Sequence, residues 1–211
     1  MKLKQLFESE YGNDINLSGK NLTLLPSDLP DKVSSSFYCS VNKLTSLKHC
    51  PSEVSGDFDC YDNELTSLEH CPSKVGGTFT CSFNDLTSLE HCPSEVGGNF
   101  WCSYDGLTSL EFWPSKVGDS FGCANNKLTS LKDIHRHIKK IGGDFLCHGN
   151  PIKSHILGLM FVEIDGNIST ELGNGSDVDE ILNRWKNQGR YGVISCQRDL
   201  IKAGYKDLAQ L

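Results

Sequence analysis

The stretch Phe58-Asp59-Cys60-Tyr61-Asp62-Asn63-Glu64-Leu65-Thr66-Ser67-Leu68 decides the fold, because its pattern returns every 21 residues. Phe79, Phe100 and Phe121 follow Phe58 at that spacing, Cys81, Cys102 and Cys123 follow Cys60, and Leu86, Leu107 and Leu128 follow Leu65. An earlier copy holds Phe37, Cys39 and Leu44, and a later, longer one holds Phe145, Cys147 and Ile152. A short fixed period marks a stack of like units in which each touches only its neighbours. Within the unit, Phe58 and Cys60 alternate with outward residues, as in a half-buried strand. Asn63 stands where the strand ends, and its side chain can pair backbone groups left free by the turn. Leu65 and Leu68 then re-enter the core.

The rest of each unit is a return path. Pro51, Pro72, Pro93 and Pro114 fix it as extended rather than helical. Val54, Val75, Val96 and Val117 close the core on that side, and Gly76-Gly77 and Gly97-Gly98 are expected to permit a tight turn into the next strand. A degenerate first unit runs through Ile15, Leu17, Leu22 and Leu25. The reading is seven units, with strands near residues 15, 37, 58, 79, 100, 121 and 145. This pattern resembles the leucine-rich repeat, whose L-x-L-x-x-N-x-L core matches Phe58, Cys60, Asn63 and Leu65. The match recurs at Asn42, Asn84, Asn126 and Asn150, while Asp105 replaces the asparagine in one unit. The short period resembles the short bacterial type, and the LTSLEHCPSEVGG wording is closest to repeat proteins encoded by large tailed bacteriophages.

The expected fold class is therefore an α/β solenoid, a curved leucine-rich-repeat stack of short parallel strands with irregular return segments. A short N-terminal helical cap is expected over residues 1–13, on the face formed by Leu3, Leu6 and Phe7. The repeats span 14–153. A C-terminal cap over 154–211 holds one strand at Phe161-Val162-Glu163-Ile164 and two helices, near 178–187 and 192–203. The three extra residues around Ile134–Ile138 predict a true helix in the last full unit.

Composition narrows the function. Net charge is −7, which argues against direct binding to nucleic acid. No apolar run approaches the roughly 20 residues of a membrane span, and no signal peptide is evident, so a cytoplasmic protein is expected. Nine of the ten cysteines fall in two repeat-equivalent series, which reads as free thiols in a reducing compartment rather than a disulfide framework. His49-Cys50, His70-Cys71 and His91-Cys92 suggest metal ligands, but adjacent residues in an extended segment diverge, so no metal and no cofactor is expected. Cys196 stands outside both series, near Arg198 and Asp199. It reads as a core residue rather than a nucleophile.

The outward strand slots vary while the inward ones do not, and in a leucine-rich repeat they line the concave face. The expected partner-binding residues are Tyr38, Asp57, Asp59, Tyr61, Asp62, Phe83, Trp101 and Tyr104. Residues 33–132 carry six Lys/Arg against twelve Asp/Glu, a net −6, so the expected partner is a protein with a basic and apolar surface. The phage resemblance implies a non-enzymatic viral protein that binds and inhibits or redirects a host bacterial protein, such as a defence factor. Two other readings stay open: an acidic mimic of nucleic acid in a basic groove, and a thiol-dependent enzyme using the C-terminal cap. Pairing of two copies through the aromatic patch also stays open.

Overall fold

The computed structural model describes residues 14–132, 134–172 and 177–211. They form a parallel β-solenoid of about seven turns. Each coil gives one two-residue strand to each of two sheets. The first sheet has eight strands in sequence order, with Ile15, Phe37, Phe58, Phe79, Phe100, Phe121, Phe145 and Ile168 at equivalent positions. The second has seven, with Val33, Val54, Val75, Val96, Val117, Ile141 and Ile164 in register. The return path is thus not irregular as expected but a second parallel sheet. The final coil adds an eighth strand, Ile168–Ser169, beyond the seven anticipated.

Packing follows from the repeat. Six phenylalanine rings, from Phe37 to Phe145, stack at 5.0–5.9 Å between centroids and are fully buried. That spacing is close to the separation of paired strands, so one ring per coil fills the core without gaps. Each contributes roughly 2–3 kcal/mol of burial. Cys39, Cys60, Cys81, Cys102, Cys123 and Cys147 are fully buried beside them, and all ten cysteines are free thiols. Trp113 takes the slot that Cys50, Cys71 and Cys92 hold in earlier coils and lies edge-on to Phe121, at 4.4 Å.

The corner after the first sheet is held by asparagine. Asn63 Nδ2 donates to the Cys39 and Cys60 carbonyls, each at 3.1 Å, and its Oδ1 accepts from Leu44 N at 3.0 Å. Asn84, Asn126 and Asn150 repeat the arrangement. The residue before each asparagine adopts a left-handed conformation, from Val41 at φ 55° to Asn125 at φ 54°.

The glycines have a different role from the one expected. Gly76, Gly97, Gly118 and Gly142 do not have positive φ. Instead, a Cβ on any of them would lie 2.0–2.1 Å from a carbonyl oxygen of the coil before. They allow backbones of adjacent coils to approach, not the chain to turn.

The sixth coil accommodates its extra residues in a short helix, α1 (Ile134–His137), and both sheets keep their register across it. A 3-10 helix over Ile156–Phe161 precedes the last coil. Two helices follow, α2 (Asp177–Trp185) and α3 (Gly189–Lys202), close to the expected bounds. They cover the last coil with side chains rather than another strand. Asn183 Oδ1 accepts from Ile168 N at 2.8 Å, and Asn187 Nδ2 donates to the Ile164 carbonyl at 2.7 Å. Asp179 Oδ1 accepts from Thr170 N, and Lys186 Nζ reaches the Gly166 carbonyl. The expected N-terminal cap, with Leu3, Leu6 and Phe7, lies outside the described residues.

Replacing Asn63 by alanine removes one acceptor and one double donor from a buried corner. We expect a loss of about 3 kcal/mol in urea unfolding, since each orphaned buried group costs about 1–3 kcal/mol. An exposed substitution such as Glu64→Ala should change stability by less than about 0.5 kcal/mol.

Candidate functional site

The outward face of the first sheet and the corner beside it hold the predicted partner-binding residues. The structure sorts seven of them into three slots, and Tyr61 stands between the strand and corner slots of its coil. The slot before each phenylalanine is a hydrogen-bonding rail between coils. Asp57 N donates to Ser36 Oγ, Thr78 N donates to Asp57 Oδ1 at 2.7 Å, and Asn99 N donates to Thr78 Oγ1. The series continues through Ser120, Asp144 and Asn167. Asp57 is therefore engaged in holding coil to coil. Short side chains with an oxygen acceptor fill this slot in every repeat from Ser36 to Asp144, a regularity the sequence already displays.

The strand slot holds Tyr38, Asp59, Thr80, Trp101, Gly122 and Leu146. Asp59 Oδ1 bonds back to Tyr61 N at 2.9 Å. Trp101 lies flat over the next coil: a Cβ at Gly122 would fall 2.3 Å from indole Cε3 and Cζ3. Gly122 is the strand-slot residue of that next coil, paired with Trp101. Its absence of a side chain is what lets the indole lie down.

The left-handed corner slot is the most exposed. It holds Asp62, Phe83 and Tyr104 at φ 54°, 59° and 59°. Phe83 is 41% exposed and Tyr104 51%. Their rings stack at 4.3 Å, and Tyr61 leans on Phe83 at 5.1 Å. Three neighbouring coils thus present one continuous aromatic strip, with Asp59 and Asp62 beside it. Tyr38 and Trp101 lie apart from this strip, three coils from each other along the strand slot. Of the eight predicted residues, the structure brings Tyr61, Phe83 and Tyr104 into ring contact, adds Asp62 in the same corner series, and assigns Asp57 to the scaffold.

The tempting histidines occupy the opposite corner. His49, His70 and His91 have φ of 74°, 69° and 70°, so the segment is a tight turn rather than extended. Phe112 takes their place in the next coil and is 51% exposed, so this slot is not a packed apolar ladder. Among the described residues no group of three or more His, Cys, Asp or Glu is placed to hold a metal ion. Cys92 Sγ, half-buried, donates to the Phe112 carbonyl at 3.1 Å.

The cysteines are held as thiols. Burial pushes Cys92 and Cys196 up to about 12, and raises Cys39, Cys60, Cys81, Cys102 and Cys147 well above the usual thiol range. A second apolar surface lies on the cap. There Phe161, Val162, Val193, Ile194 and Leu211 line a groove of about 900 Å³. Among the described residues no helix is long and apolar enough to cross a membrane. No known protein family matches this chain, and comparison with curated proteins finds no significant match. Its class is thus set by architecture: a parallel β-solenoid of repeated coils bearing an aromatic strip.

Two tests follow from this geometry. Gly122→Ala should lift the Trp101 indole off the sheet, shifting its emission to the red and costing roughly 1–3 kcal/mol of stability; the Trp101→Phe background, in which Trp113 and Trp185 remain, should show no such shift. A thiol-disulfide dye at about pH 8 should reach at most Cys50, Cys71 and Cys92 in the native chain, and all ten thiols only after unfolding.

Proposed function

We propose that this solenoid is a non-enzymatic module that binds a protein through the strip formed by Tyr61, Phe83 and Tyr104. The observation that carries the reading is their position. Each of Phe83 and Tyr104 holds a bulky side chain in a left-handed backbone conformation, which costs free energy for any residue but glycine and asparagine. Their rings meet each other in the open rather than the core. Exposed aromatics of this kind are frequent anchors of protein interfaces. Asp59, Asp62 and the acidic balance of the middle coils favour a partner surface that is basic around apolar pockets.

The repeats read best as the short leucine-rich type. With the phage resemblance of their wording, this leads us to propose a viral protein acting in the bacterial cytoplasm. It would block or redirect a host protein, a defence factor being the natural target, by covering its surface. The step from fold to role is one of analogy.

The other two readings have weaker support. A nucleic-acid mimic needs free carboxylates, and Asp57 already accepts a backbone hydrogen bond from the next coil. A thiol-dependent enzyme needs an accessible thiolate, and Cys196 is buried with its thiol pushed up to about 12.

The test is affinity capture from bacterial lysate with the native chain beside a Tyr61→Ala/Phe83→Ala/Tyr104→Ala variant of matched stability. We expect one protein held by the native chain and lost by the variant. Titration of that purified protein should then show binding weakened at least about 30-fold, a loss of about 2 kcal/mol. Equal capture by both chains would move the site elsewhere.

A further inference from the structure

Between Asn42 and Asn150 the asparagine ladder has one break, in the coil that carries Tyr104. In the intact corners, Nδ2 donates to the cysteine carbonyl of its own coil and to that of the coil before. Asp105 stands in this slot. Its Oδ1 accepts from Asn84 N at 2.9 Å, and the Leu86 N–H also favours the charged carboxyl. Its Oδ2 is buried and has no hydrogen-bond partner. By the repeat geometry, this oxygen occupies the place where an amide NH2 would serve the Cys81 and Cys102 carbonyls. An ionised oxygen there would face the negative ends of two carbonyl dipoles. A protonated one supplies the missing donor.

Burial favours the proton most, the backbone N–H groups of Asn84 and Leu86 oppose it, and further charged or titratable groups face the carboxyl. From the coil before come the Asp85 carboxylate, which repels a second charge, and the buried Cys60 and Cys81 thiols of that coil and its predecessor. The Cys102 thiol belongs to the same coil. From the coil after comes the Lys127 ammonium, 3.9 Å from the Cβ position of Gly106. Desolvation dominates, and the carboxyl is pushed up to about 8.

We propose that Asp105 is a neutral acid in the folded protein at neutral pH, donating from Oδ2 to the Cys81 or Cys102 carbonyl, and that its ionisation loosens the turn carrying Phe83 and Tyr104. The coupling is short. Asp105 follows Tyr104 directly, and its Oδ1 holds the N–H of Asn84, the residue after Phe83. The rings of Phe83 and Tyr104 touch at 4.3 Å. As a regulatory device the switch rests on the reading of this strip as a binding site, but the proton and the turn can be observed without any partner.

The sign of the pH effect is fixed by linkage. The unfolded chain releases this proton near the ordinary aspartate value of 3.8, and the folded chain near 8. Between the two the folded state binds one more proton, so its stability falls as pH rises. The unfolding constant of the native chain relative to Asp105→Asn should therefore increase about tenfold per pH unit from about pH 4 to about pH 8.

The experiment is a pH titration of the full chain labelled with carboxyl-13C aspartate, followed by NMR beside Asp105→Asn. We expect one carboxyl resonance that titrates near pH 8 and is missing from the variant. Ring-to-ring contacts of Phe83 and Tyr104 should fade through the same range in the native chain and persist in Asp105→Asn. An Asp105 resonance that titrates near pH 4 with the other carboxylates would overturn the proposal. So would ring contacts that persist to about pH 9 after Asp105 has ionised. Should Asp105→Asn fail to fold, assignment through the neighbouring Tyr104 and Gly106 backbone keeps the native titration decisive. No outcome of partner capture alters these readouts, so the switch and the binding site can fail separately.

Discussion

Every coil depends on the next for its backbone hydrogen bonds, and this dependence shapes the rest of the molecule. In the first sheet the phenylalanine and cysteine N–H groups donate forward, as Phe37 N does to the Asp57 carbonyl and Phe58 N to that of Thr78. In the second sheet the direction reverses, and Gly76 N donates back to the Val54 carbonyl. The strands are only two residues long, so much of the pairing happens at corners, where some backbone groups meet directly, as Asn63 N does the Phe83 carbonyl, and others are left for side chains. Asparagine bridges the gap because its amide offers donor and acceptor together. The stacking distance then dictates the remainder: a flat ring in the core, a glycine where backbones nearly touch, a short acceptor beside the strand. The 21-residue period is the sequence trace of that distance. An insertion is tolerated only where it leaves the stack, as α1 does on the return side.

Much of this was legible in the sequence. Phe58 and Cys60 alternate with outward residues, and the asparagine position implied a corner held by side chains. The second sheet was not legible. Only one residue per coil, such as Val54, is buried there, and a two-residue strand behind a proline displays no alternation. The glycine pairs signalled a special backbone, but sequence alone does not separate a tight turn from close approach. The eighth coil was missed because Ile168 and Thr170 replace the Phe and Cys of the repeat, and a 3-10 helix displaces the spacing. Within the candidate site, the aromatic residues were found from their variation among constant neighbours. The bond that Asp57 accepts from Thr78 N was not legible, since an acid engaged with backbone looks like any other carboxylate in a sequence.

A solenoid also has ends, and an open strand edge invites pairing with another chain. At the C-terminal end the chain repeats its own solution. Asn183 both accepts from and donates to Ile168, and Asn187 does the same for Ile164. These amides stand in for the absent coil, and α2 and α3 supply the apolar cover through Val178, Leu182 and Cys196. The cap is continuous with the stack rather than a separate unit beside it. That limits what the buried Cys196 can do, since exposing it would uncover the last coil.

Comparison among the coils bears most directly on the aromatic strip. The slot before the ladder residue is left-handed in each coil from Val41 to Gly149. Glycine and asparagine fill it with least strain, and Gly149 and Asn125 are what the later coils use. Val41, Phe83 and Tyr104 are the costly choices in that series, and the last two fall in consecutive coils with their rings in contact. The opposite corner also tolerates bulky left-handed residues, from His49 to Phe112, so strain alone would not single out one face. What distinguishes the first corner is strain combined with ring stacking in the open and with Asp105, whose Oδ2 is buried, next in the chain after Tyr104. A scaffold that needed only its coils to stack would have had no reason to place all three together.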